Sequence, residues 1–283
     1  LLPLQVAVME RASTLFPDSE SIIMFLSDVY TQMPLRETKM KGVAIIEKLL
    51  EIHNIKGRYV ISSPSKYINE NTLGALFNAY MRLDLHERTI SVCESYEQLD
   101  LPLHSLVIRN KASAFASLKR YEDARKTYLQ LLETDYYDDS NHAFYASFLN
   151  DIGDYAGAYI EREIAAILDL NDANRFINLA IHILNYSYVR TNADNLIRVK
   201  KADELIHYAM PLFIHAVEID GSNEKRTRVA EILLRKNQTN YAQAIMQHQP
   251  VDDSKLMNYP LEYILSANID EIKSVKSDVE PNK

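Results

Sequence analysis

Residues 105–138, SLVIRNKASAFASLKRYEDARKTYLQLLETDYYD, read as two short helices joined by a turn at Lys119 and Arg120. Ala112, Phe115 and Leu118 share one face of the first helix, and Ala124, Tyr128 and Leu131 one face of the second. That is the i, i+3, i+4, i+7 spacing of an apolar stripe. A single hairpin cannot bury both stripes, so the stretch calls for neighbours of its own kind, each covering the open face of the one before.

The pattern returns at a fixed interval. Phe77, Tyr80 and Thr89, then Ala112, Phe115 and Ala124, then Ala146, Leu149 and Ala158 align as triplets at successive offsets of 35 and 34 residues. A further copy opens near Ala173, with Leu179, Ala180 and Ile183 in place, so the register spans residues 70–184. Unrelated helices would not keep such a period.

Outward from this array the pattern loosens. Upstream, Leu4 to Phe16 reads as a helix stopped by Pro17, Glu20 to Met33 as a second helix closed by Pro34, and Arg36 to His53 as its partner. Residues 54–66, NIKGRYVISSPSK, read as a loop on their glycine, proline and serines. Downstream, residues 185–195, NYSYVRTNADN, break the register with turn-forming residues. Residues 195–219 then form one over-long helical run, in which Pro211 predicts a kink or break near Met210. A last hairpin, residues 224–236 and 241–247, puts Ala244 at the small-residue position after its turn, at the cost of a small insertion. Residues 252–266 are expected to form a capping helix over the last apolar face, and the charged residues 269–283 to fray. The organisation expected is a repeat array over 1–251, most regular at 70–184 with an irregular insert at 185–221, then a cap and charged tail over 252–283. Residues 1–16 look like the second helix of a hairpin, which makes a longer parent chain the expectation.

Composition agrees with an all-α chain. Of 283 residues 47% are hydrophobic, enough for a sizeable core, and only 6 glycines and 9 prolines punctuate it, few for a protein of many turns. The formal net charge of −8 repels a polyanion, which disfavours binding along a nucleic-acid backbone. One cysteine, Cys93, forbids an internal disulfide and points to a reducing, cytoplasmic setting. No apolar run reaches the roughly 18–20 residues of a membrane span.

The 34-residue helix-turn-helix unit resembles the tetratricopeptide repeat. Ala112 and Ala146 fall where that family has a small residue in the first helix, and Tyr80, Phe115 and Leu149 where it has a large one. The turn followed by an aromatic and an alanine appears as RYEDA at 120–124 and GDYAGA at 153–158, with Tyr121 and Tyr155 in the aromatic slot. Phe77 and Thr89 depart from the small-residue pattern. The resemblance implies an all-α superhelix of stacked antiparallel hairpins that binds a peptide or partner protein in a concave groove lined by first helices. Mapped onto this chain, the groove would carry Asn78, Met81, Arg82, Arg109, Asn110, Ser113, Ser147, Asn150 and Asn178. Amides can donate to and accept from a peptide backbone together, and arginine pairs with carboxylates. One branch of the family clamps the carboxylate of chaperone tails. Asn78 and Asn110 fall at its two asparagine positions, but Gly74, Ser140 and Phe144 replace its basic residues, and Phe144 reads as an apolar anchor instead.

The chain offers no catalytic set. Its eight histidines form no HExxH pattern, His207 and His215 lie two helical turns apart, and Cys93 falls in an apolar slot. The run DYYDD at 135–139 lacks the glycine and terminal glutamate of a calcium loop. The expectation is therefore a non-catalytic protein-interaction module with no metal or cofactor. The alternative is the output domain of a bacterial signalling protein such as a response regulator. An exposed end repeat can pair with its twin, so a homodimer is a further expectation.

Overall fold

The computed structural model describes residues 2–99, 101–102, 104–251 and 254–273. Two compact units divide the chain, Leu1–Thr134 and Asp135–Lys283. The first holds α1 (Leu2–Leu15), α2 (Glu20–Gln32), α3 (Arg36–Leu49), a hairpin of β1 (Ile52–Ile55) and β2 (Arg58–Ile61), α4 (Glu70–Arg82), α5 (His86–Tyr96), α6 (Ser105–Ser117) and α7 (Tyr121–Thr134). The second holds α8 (Asp139–Asp151), α9 (Tyr155–Leu168), α10 (Ala173–Tyr186), a hairpin of β3 (Tyr188–Asn192) and β4 (Asn195–Arg198), α11 (Leu205–Ile219), α12 (Asn223–Arg235), α13 (Thr239–Met246) and α14 (Tyr259–Ser266). Each unit has its own core, one around Phe77, Tyr80 and Tyr96, the other around Tyr159, Phe176 and Phe213. No helix among the described residues is long and apolar enough to cross a membrane.

A recurring turn carries the repeat. Asp84, Lys119, Gly153 and Asn237 adopt the left-handed conformation, at φ of 58°, 60°, 84° and 59°. In each case the next residue's N–H donates to a carbonyl five residues back: Leu85 to Tyr80, Arg120 to Phe115, Asp154 to Leu149 and Gln238 to Leu233, at 2.8–2.9 Å. This bond satisfies an orphan carbonyl at the helix end and reverses the chain. Five residues beyond each left-handed residue stands a buried small side chain, Thr89, Ala124, Ala158 or Ala242. The last hairpin is therefore in plain register, with Ala242 at the position expected for Ala244 and no insertion.

The register also survives the segment expected to break it. Ser187 ends α10 in the same left-handed conformation, 34 residues after Gly153, but β3 follows where the second helix would start. From Ser187 to Asn237 is 50 residues, so the hairpin and its flanks add 16 to one period. Residues 195–219 are thus a strand and a separate helix. Pro211 sits inside α11 without ending it.

Residues 54–66 also differ from the loop expected of them. Lys56 and Gly57, both at positive φ, make the two-residue turn whose twist suits antiparallel strands, pairing Ile52 with Ile61 and Ile55 with Arg58. The hairpin lies on α5, where Ser91 and Ser95, one helical turn apart, accept from the N–H groups of Tyr59 and Ile61 at 3.0 Å each. The open edge of β2 is thereby closed by side chains. In the second hairpin Val189 is buried, and Arg190 grips Glu163 of α9 through its Nε, 2.8 Å from both carboxylate oxygens. Arg190 also lies over the Tyr263 ring of α14, 4.4 Å from its centroid.

Of residues 252–266, expected as one capping helix over the last hairpin, only 259–266 are helical, as α14, and this helix packs on α9, α11 and β3 with Ile264 buried, while 254–258 are turn and coil. Asp252 and Asp253 lie outside the described residues. Of the tail expected to fray, residues 269–273 are helical, and 274–283 lie outside the described residues.

Candidate interaction cleft

In the first unit α2 and α4 each bury one stripe and turn another towards a cleft. Leu26, Val29 and Tyr30 of α2, and Leu73, Leu76, Phe77 and Tyr80 of α4, are buried. The cleft is lined by Ser21, Met24, Phe25 and Asp28 on α2, and by Ala75, Asn78, the buried Ala79 and Arg82 on α4, both at i, i+3, i+4, i+7. It measures about 390 Å³ and is floored by Ile46. Two alanines keep one wall low, leaving room for a main chain between the helices. Gly42 of α3 lies against α2 so closely that a Cβ there would stand 2.6 Å from the Ser27 carbonyl oxygen. The Ser27 hydroxyl donates to the Gly42 oxygen at 2.8 Å, which fixes α2 from behind.

The two walls differ in charge. Asp28 on α2 accepts from Gln32 Nε2 at 2.6 Å. On α4, Arg82 and Asn78 are exposed one turn apart, and neither makes a hydrogen bond or ion pair among the described residues. An unpaired guanidinium beside a free amide can take a carboxylate and a peptide group together.

The other residues expected in a groove are placed less openly. Met81 is half-buried and lies off the cleft lining. Arg109 is half-buried on α6. Asn110 donates back to the Leu106 carbonyl of its own helix at 2.8 Å, and Ser113 bonds the Tyr128 hydroxyl of α7 at 3.0 Å. In the second unit Phe144 is 44% exposed on α8, and Ser147 donates to the Ala143 carbonyl one turn back. Asn150 holds a buried Oδ1 with no partner among the described residues. Asn178 accepts from Arg228 of α12 at 3.0 Å, so its amide oxygen already has a cationic partner. Sequence reasoning missed the α2 wall. Its signal is the same four-residue spacing, but it lies outside the regular array.

Several groups capable of acid–base or thiol chemistry are enclosed, whereas the exposed His53 Nδ1 lies 2.7 Å from the Ser62 hydroxyl. His142 is fully buried, with Nδ1 2.7 Å from Glu161 and Nε2 2.7 Å from the Tyr136 carbonyl oxygen. Cys93 is buried, its Sγ 3.4 Å from the Val107 carbonyl oxygen, and burial pushes its thiol well above the usual range. Asp139, Asp169 and Asp172 converge closely enough to hold an ion. Arg175 already lies among them, paired with Asp139 and 3.5 Å from Asp172.

Antiparallel hairpins at a 34-residue period, with a left-handed turn and a small buried residue at fixed places, define a tetratricopeptide-like all-α repeat fold. No family model matches the chain, and no curated protein does. Among solved structures it aligns with the crystal structure of YrrB, a TPR protein with an unusual peptide-binding site, at 12% identity over 81% of this chain and 97% of that one. The TM-score is 0.42, at which the alignment adds no weight to what the turns already define.

Proposed function

We propose that the chain is a protein-interaction module that takes an extended peptide segment in the α2/α4 cleft. One observation carries this: among the described residues Arg82 and Asn78 stand without a partner on successive turns of α4, across about 390 Å³ from Ser21, Phe25 and Asp28. Asn78 would hold a peptide group of the ligand, Arg82 an acidic side chain or terminal carboxylate, and Phe25, 48% exposed, an apolar side chain. The partner is a polypeptide, and the lone buried Cys93 fits a cytoplasmic setting. Arg109, Asn110 and Ser113 on α6 are secondary contacts in this reading, whereas Phe144, Ser147, Asn150 and Asn178 belong to the second unit and are not part of this cleft. The role in this reading is non-catalytic, with His142 and Cys93 both buried.

The test is a selection of displayed random peptides on the immobilised full chain, repeated with Arg82→Glu and with Ala75→Trp, which fills the cleft. Acidic peptides enriched on the wild type and lost on both variants support the cleft. Peptides that bind all three proteins alike place recognition elsewhere.

A further inference from the structure

Tyr136 and Tyr137, in the segment leading into α8, form a two-walled aromatic corner. Their ring centroids lie 5.8 Å apart at an interplanar angle of 80°. The Lys273 ammonium sits in this corner, 5.1 Å from the Tyr136 centroid and 4.6 Å from that of Tyr137. Both distances are within the range at which a ring face attracts a cation.

The corner is built from behind rather than by the lysine. His142 meets the Tyr136 ring edge-on at 4.8 Å, and the buried His142–Glu161 pair, with the bond from His142 to the Tyr136 carbonyl, fixes that wall. Tyr136 is 8% exposed, yet its hydroxyl has no hydrogen-bond partner among the described residues, a polar atom the chain leaves unused. Tyr137, the outer wall, is half exposed and donates to Asp270 at 2.6 Å. Lys273 is exposed and makes no ion pair among the described residues, where two ring faces are what its ammonium meets. An ammonium held in this way at an exposed rim is readily displaced by another. The net charge of −8 favours a basic newcomer.

We propose that the Tyr136/Tyr137 corner is a recognition site for a lysine side chain of a partner polypeptide, and that the chain's own short helical segment at residues 269–273 occupies it in competition. The site lies in the second unit and does not depend on the α2/α4 cleft, so either can fail while the other stands. An internal competitor lowers apparent affinity by the fraction of open sites, here roughly three- to tenfold for a contact of this class.

The experiment uses the full chain with ring-labelled tyrosine, Tyr137 being assigned through Tyr137→Phe. Wild type and Lys273→Ala are titrated with N-acetyl-lysine methylamide and, as a neutral match, N-acetyl-norleucine methylamide. Lys273 is exposed at the end of the described chain, so its replacement leaves the fold intact. The expected result is a saturable Tyr137 shift with the lysine compound alone, at about three- to tenfold lower concentration in Lys273→Ala. Equal midpoints in the two proteins overturn the competition. An absent Tyr137 response in Lys273→Ala, or an equal response to norleucine, overturns the site.

Discussion

The Met257 N–H donates to the His207 carbonyl oxygen at 2.9 Å, and that oxygen lies four residues before Pro211, whose ring has no N–H to reach it. A proline in the middle of a buried helix is thus accommodated because a separate segment supplies the missing donor. Pro211→Ala gives His207 an intrahelical donor. We expect the Met257 amide to lose protection from hydrogen exchange while α11 stays helical. Unchanged protection at Met257 would mean the bond does not depend on the proline.

Closure of the first hairpin rests on α5. Ser95→Ala removes the acceptor of the buried Ile61 N–H and is expected to cost about 1–3 kcal/mol, the penalty for an unsatisfied buried donor. Ser91→Ala should cost less, because Tyr59 is only half-buried and water can replace the hydroxyl. Urea unfolding of the two variants measures the difference, and equal losses would contradict the burial argument.

The second hairpin is held by the pair Arg190–Glu163. Burial pushes the Glu163 carboxyl up and the Arg190 hydrogen bonds oppose this, holding the carboxylate in place. Arg190→Met strands that carboxylate and should cost roughly 3–5 kcal/mol, whereas adding Glu163→Gln should recover much of the loss. A double variant as unstable as the single one would show that the guanidinium acts through packing, not charge.

His182 makes stability depend on pH. Its Nε2 lies 2.9 Å from the Tyr155 carbonyl oxygen, and its pKa is lowered from 6.5 to about 4, chiefly by burial and secondly by the Arg162 charge. Between those values the unfolded chain binds a proton that the folded chain refuses. Stability therefore rises with pH across this window and is complete above it. We expect this group to remove on the order of 2–3 kcal/mol between pH 7 and pH 4. His182→Gln should flatten that part of the slope in urea midpoints taken across the range.

The helices from α4 to α9 were legible because each carries a local apolar stripe and its stop signal lies within a few residues of it. Lys119 and Gly153 mark their turns directly, and the buried Ala112, Ala124, Ala146 and Ala158 sit where the period put them. The two hairpins were not legible, since strands of four or five residues show too little alternation to outweigh their polar turn residues. The Lys56–Gly57 pair was the one clear sign. In the cleft, Asn78 and Arg82 could be placed from register. The loss of Asn110 to its own helix and of Asn178 to Arg228 could not, because those bonds depend on rotamers and on a helix 50 residues away.

The sequence by itself determined a helical-hairpin repeat and its 34-residue period, since apolar spacing, left-handed turns and small residues act over one or two helical turns. Only the tertiary structure decided that the period runs on through Ser187 with a hairpin inserted, that Pro211 leaves α11 whole, and that Tyr136 and Tyr137 enclose Lys273. Each of these depends on groups far apart in the chain meeting at hydrogen-bond or ring-contact distance, and no local pattern of residues encodes such meetings.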